Sequence, residues 1–241
     1  MSIAPENNGF GYDRPWRAKI PWLFLVAALT AMICVEAAML SIMCRFGHRI
    51  PEIIQEAVIQ SMGLAAILAI FAAIHPVRHL PDKLGIGFPR WRDIGIAALG
   101  LCMIYAWQIV VTPCWKELLD KCGLSFEEHQ ELIVECSEAS PKHFLAMLVI
   151  VGVLIPIIEE VVFRRVLYGA ILPLGILPAM LLTALIFSAA HGFLQGLPAL
   201  FGLGLVFQWQ YLHSRNLVTP MITHMTFNII SLVLAFALGL D

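Results

Sequence analysis

Charge is scarce in this 241-residue chain: Asp, Glu, Lys and Arg make up 13% of it and hydrophobic residues 60%, whereas soluble globular chains are roughly 25% charged. The shortage excludes an ordinary water-solvated surface and makes lipid the reference solvent. No basic run of the kind that grips phosphate is present, and the formal net charge is -2, which together argue against a nucleic-acid partner. Metal-ligand spacing is lacking as well. Of six cysteines, Cys34, Cys44 and Cys102 lie in or beside apolar stretches and Cys114, Cys122 and Cys136 in one polar loop, so they read as inert thiols. No repeat of fixed period is visible, which disfavours the duplicated architecture of secondary transporters.

What the chain has instead is apolar runs. A polar tail over 1–20 carries Arg14, Arg17 and Lys19, and the run from Pro21 to Met43 that follows exceeds the ~7–15-residue core of a secretory signal; it reads as an uncleaved signal-anchor helix. Against the ~20 residues a spanning helix needs, seven candidates appear, near 21–44, 56–75, 94–112, 143–172, 175–194, 197–213 and 218–240. The expected fold is an all-α polytopic transmembrane bundle of one domain. Pro and Gly collect in the breaks at 75–93 and 173–175. In the long connection 113–142, Ser125 and Glu128 have capping-box spacing ahead of Leu132 and Ile133, which predicts a short interfacial helix. Lys and Arg divide eight against five in favour of a cytoplasmic N-terminus.

One apolar run is anomalous. "VLIPIIEEVVFRRVLYGAIL" (153–172) is long enough to span, yet holds Glu159, Glu160, Arg164 and Arg165. On an α-helix Glu160 and Arg164 share a face, four apart and in the favourable order, while Glu159 points about 100° away from Glu160. Glu160 has a partner within its helix; Glu159 does not. A charge at the bilayer centre costs about 2.5–3.5 kcal/mol, so Glu159 requires a use across the bundle.

Polar residues able to provide one recur on two other spans. "FSAAH" sets Phe187 and His191 four apart, and "HMTFN" sets His224 and Asn228 four apart, so each pair shares a helical face. A lone intramembrane histidine is ordinarily helix glue, and Glu159 alone could be a protonated, hydrogen-bonded carboxyl. Two His, an Asn and a Glu on three helices fit water activation better: a carboxylate in a low-dielectric cavity takes a proton from water, and imidazole and amide donors opposite it stabilise an oxyanion. Amide hydrolysis is the reaction these parts suit.

"EEVVFR" (159–164), "FSAAH" (187–191) and "HMTFN" (224–228) resemble, in order and approximate spacing, the E-E-x-x-x-R, F-x-x-x-H and H-x-x-x-N motifs of the CAAX prenyl endopeptidase and bacteriocin-processing (CPBP) family of glutamic intramembrane proteases. The resemblance covers about 143–235, leaving 21–142 as N-terminal helices with the amphipathic loop and 236–241 as the C-terminal end. It implies that Glu159 with His191 activates a water, that His224 with Asn228 binds the oxyanion, and that Glu160, Arg164 and Phe187 support the site. It further implies a peptide or protein substrate, lipidated or not, within membrane lipid, and residence in a bacterial plasma membrane. Some relatives have eight spans, so an eighth is allowed here.

Two alternatives stay open. The rival from another class is a non-catalytic membrane protein that binds a peptide or bacteriocin, such as an immunity protein; a transporter using Glu159 as a proton site ranks third. Within hydrolysis, no cofactor is expected, although Glu159, His191 and His224 also form a ligand set able to hold zinc. Against zinc, the two His are on different helices with no H-E-x-x-H turn. One geometric tension accompanies either mechanism: with helices starting near Leu177 and Val218 on one side, His191 would lie about 20 Å deep and His224 about 9 Å at ~1.5 Å per residue. Elsewhere, Glu36 reads as a helix contact, "FGLGL" (201–205) as small-residue packing, and Trp16, Trp22, Trp91, Trp115 and Tyr211 as interfacial anchors.

Overall fold

The computed structural model describes residues 85–124 and 131–239, with isolated positions between 30 and 66. The tail, most of the first two expected spans, Trp16, Trp22, Glu36, Ser125 and Glu128 lie outside the described residues. Within them the fold is helical: α1 (Trp91–Lys121), α2 (Glu131–Ser137), α3 (Pro141–Leu174), α4 (Ile176–Ala190), α5 (Leu197–Ser214) and α6 (Val218–Leu238). All five spans expected after residue 90 are helices. Three of them, α1, α3 and α6, are long and apolar enough to cross a membrane, and α4 is a shorter apolar helix. This is an all-α integral membrane bundle.

Local chemistry sets the ends. The buried Asp93 carboxylate accepts the Arg90 amide at 2.9 Å and closes the first turn of α1, where an acidic group also suits the helix dipole. The helix then passes through Pro113 to Lys121, nine residues beyond the expected end at 112, so the long connection is shorter than its polarity suggested. The short helix expected in that connection is α2. Ser140 caps α3 and Pro141 occupies its first turn. Between α5 and α6 the chain turns at Arg215, in the left-handed region (φ 55). There Asn216 accepts the Gly87 and Val218 amides at 3.2 and 3.1 Å and donates to the Gly87 carbonyl at 3.1 Å, docking 85–87 on this corner.

Small residues bring α5 against its neighbours. A Cβ on Gly204 would stand 2.9 Å from Ala184 Cα on α4, and one on Gly202 would collide with the Trp107 indole on α1; the small-residue reading of "FGLGL" holds. Gln210 ties three helices, donating to Thr223 Oγ1 on α6 at 2.8 Å and to the Ile96 carbonyl on α1 at 3.0 Å. The anchor reading is corrected at Tyr211, which is buried (3% exposed) with its ring against Gly85. Trp115, near the C-terminal end of α1, donates its indole N–H to the Leu194 carbonyl at 3.2 Å. Trp91 is 89% exposed at the start of α1, as an anchor should be.

Candidate active site

The opening anomaly lies on α3, which is not a uniform α-helix. Residues 150–154 and 161–167 form wider π turns, and Ile155–Glu160 is a short α stretch between them. A π turn takes in an extra residue and re-aims the side chains that follow. Both glutamates sit on the stretch so aimed, and both are buried, as are Arg164 and His224.

The first π turn has a covalent cause and a partner. Ile155 N–H reaches back five residues to the Ile150 carbonyl. Pro156, next in that register, has no N–H for the Val151 carbonyl. Asn228 supplies the missing donor from α6, with Nδ2 3.0 Å from the Val151 oxygen. Gly152 allows the approach, since a Cβ there would stand only 3.0 Å from Ile229.

Glu160 carries the densest contacts. Its Oε2 accepts from Arg164 Nε at 2.9 Å, the pair expected from the i, i+4 spacing, and its Oε1 accepts from His224 Nδ1 at 2.9 Å. The opposite ring nitrogen, His224 Nε2, faces Glu159 Oε2 at 3.7 Å. One imidazole therefore bridges the two adjacent carboxylates. A carboxylate paired with Arg164 only accepts, so Nδ1 carries a proton and Nε2 is the ring atom left to act.

Arg164 is fully buried and paired with Glu160. Its guanidinium donates to the Gly204 carbonyl at 3.2 Å and lies 4.8, 5.4 and 5.9 Å from the ring centres of Phe187, Phe207 and Phe163, within the range of cation–π attraction. Phe207 stacks on His224, centroids 4.6 Å apart and planes 23° from parallel.

His191 caps the C-terminal end of α4, its Nδ1 2.8 Å from the Phe187 carbonyl. A carbonyl only accepts, so in the neutral ring Nε2 keeps its lone pair. Phe187 joins the two motif histidines, its ring 4.7 Å from that of His191 and 6.0 Å from that of His224. The 15 residues of α4 extend about 22 Å and leave His191 at the C-terminal end of that helix, while His224 stands six residues into α6.

Direct contacts link Glu159, Glu160, Arg164, Phe187, His191 and His224, and the partners differ from the motif reading: His224 lies against the glutamates, His191 on the Phe187 carbonyl, and Asn228 on the Val151 carbonyl. Phe207, Phe163, Gly204 and Pro156 were missed by the sequence reading; Pro156, in an otherwise uninterrupted helix, was the one signal available. Among the described residues no three of His, Cys, Asp and Glu gather closely enough to hold a metal ion.

Residues 141–230 match the family described as type II CAAX prenyl endopeptidase Rce1-like. The chain is also similar to the membrane-embedded CAAX protease MroQ of Staphylococcus aureus (strain USA300), 26% identical over 153 residues, which are 61% of this chain and 60% of that relative. No solved structure matches.

Proposed function

Through residues 141–230 the chain belongs to the Rce1-like family of CAAX prenyl endopeptidases within the wider CPBP grouping, and from that premise we propose that it is an intramembrane endopeptidase whose water is activated by Glu159. The observation that carries the reading is the buried imidazole of His224 between two carboxylates with different surroundings. Glu160 already serves Arg164 and the ring's Nδ1, and that fixes its charge and place. Glu159, whose Oε2 stands 3.7 Å from the ring's second nitrogen, is the carboxylate beside the ring nitrogen that Glu160 does not bind.

In this scheme Glu159 takes a proton from the attacking water, with Nε2 of His191 as a second acceptor. The proton passes to the departing amine as the C–N bond breaks. His224, held by Glu160 through Nδ1–H, donates a second N–H from Nε2 in its imidazolium form to the carbonyl oxygen as it gains charge. An amide has two donor hydrogens, so Asn228 can give one to Val151 and direct the other to the same oxyanion. Glu160, Arg164 and Phe187 hold these groups in place. No metal takes part. The substrate is a peptide or protein segment presented from the membrane.

Comparing the cleaved membrane peptides of cells carrying the intact protein with those of cells carrying Glu159→Gln tests the reading. Products present only with the intact protein are expected; identical peptide sets would remove the protease assignment and favour a peptide-binding role.

A further inference from the structure

The proposed chemistry needs Nε2 of His224 aimed at the substrate's carbonyl oxygen beside Glu159, yet one hydrogen bond does not aim a ring. The outer torsion of a histidine is broad and roughly two-fold: a flip would exchange Nδ1 for a carbon at Glu160, and rocking about the Nδ1 bond would swing Nε2 away. The bond to Glu160 resists the flip. Rocking must be stopped by whatever covers the ring's face.

Phe207 covers it. We propose that Phe207 is a positioning residue that fixes the plane of the His224 imidazole, an inference that rests on the proposed glutamate-activated hydrolysis. The near-parallel stack at 4.6 Å differs from the ring's contact with Phe187, which Phe207 meets edge-on at 6.3 Å and 86°. Aromatic rings prefer edge-to-face or offset contacts, and here the offset face is given to the imidazole. Phe207 is fully buried, so neither water nor lipid replaces the contact. The same turn of α5 also holds the other partner of Glu160: Gly204 accepts from Arg164 at 3.2 Å, and the Phe207 ring lies 5.4 Å from the Arg164 guanidinium. One helical turn thus backs both groups that Glu160 binds, with the electron-rich ring face towards two nitrogenous partners.

Three variants of the full chain in detergent separate positioning from core packing. Phe207→Leu removes the flat face, Phe207→Tyr keeps it, and Phe207→Met serves in place of Leu if the latter does not fold. With a cleavable reporter peptide, Phe207→Leu should lower kcat by about tenfold to a hundredfold, the range a small misplacement costs, with KM little changed; Phe207→Tyr should retain most of the activity. In spectra of protein with labelled histidine, the His224 ring protons should move downfield in Phe207→Leu as the ring-current shielding of the stack is lost, and stay in place in Phe207→Tyr. Unchanged kcat, or a His224 signal that does not move in a folded Leu or Met variant, overturns the proposal. The signal reports on the stack even if Glu159→Gln retains turnover, so failure of the hydrolytic reading is distinguished from failure of this one.

Discussion

His224 donates from Nδ1 to the Glu160 carboxylate at 2.9 Å, joining α6 to the short α stretch between the two π turns of α3. A helix with two buried glutamates side by side would otherwise repel itself. Here one carboxylate is saturated by Arg164 and His224, and that division of labour organises the site.

Breaking the buried pair should be costly. Glu160→Gln leaves Arg164, which is fully buried, without its carboxylate, and removing one partner of such a pair destabilises by about 3–5 kcal/mol. Thermal unfolding of the solubilised variant should show a clearly lowered midpoint. An inactive variant that melts like the wild type would mean that the two glutamates have exchanged roles.

Asn228 and Pro156 should be energetically coupled. Asn228→Leu leaves the Val151 carbonyl without the Asn228 donor, a loss of about 1–3 kcal/mol. Pro156→Ala restores an N–H to the same turn. In a double-mutant cycle, Asn228→Leu should therefore cost less stability in the Pro156→Ala background than alone; equal costs would show that Asn228 does not stand in for the missing amide.

Gly204→Ala sets two effects against each other. Helix propensity favours alanine by up to about 1 kcal/mol, but the new methyl would meet Ala184 Cα at 2.9 Å, a backbone atom unable to swing aside, and overpacking costs about 1–3 kcal/mol. Overpacking wins, so the variant should melt lower and its Arg164 contact should be disturbed. A more stable Gly204→Ala protein would contradict the packing of α4 on α5.

These contrasts show what the sequence could and could not reveal. The Glu160–Arg164 pair and the close packing at "FGLGL" were legible because spacing and residue size alone determine them. The reach of His224 to both glutamates was not, since it depends on how α6 packs against α3 and on the two π turns that flank Ile155–Glu160. Phe207 left no trace in the sequence: in an apolar helix, a phenylalanine facing lipid and one stacked on an imidazole look alike. The extension of α1 past residue 112 was hidden by polar residues that also suit a loop.

Metal removal separates the two hydrolytic schemes. The active protein should contain well under one zinc per chain by elemental analysis and keep its activity through prolonged chelation. Activity lost on stripping and recovered with added zinc would make Glu159 a ligand rather than a base.

The central claim is that Glu159 is the group that activates water. Its most direct test is the turnover of a reporter peptide by purified Glu159→Gln protein, a substitution that preserves shape and hydrogen bonding while removing the base. The account predicts a monodisperse protein with wild-type melting behaviour and no measurable cleavage. Turnover near the wild-type rate by that variant would contradict it.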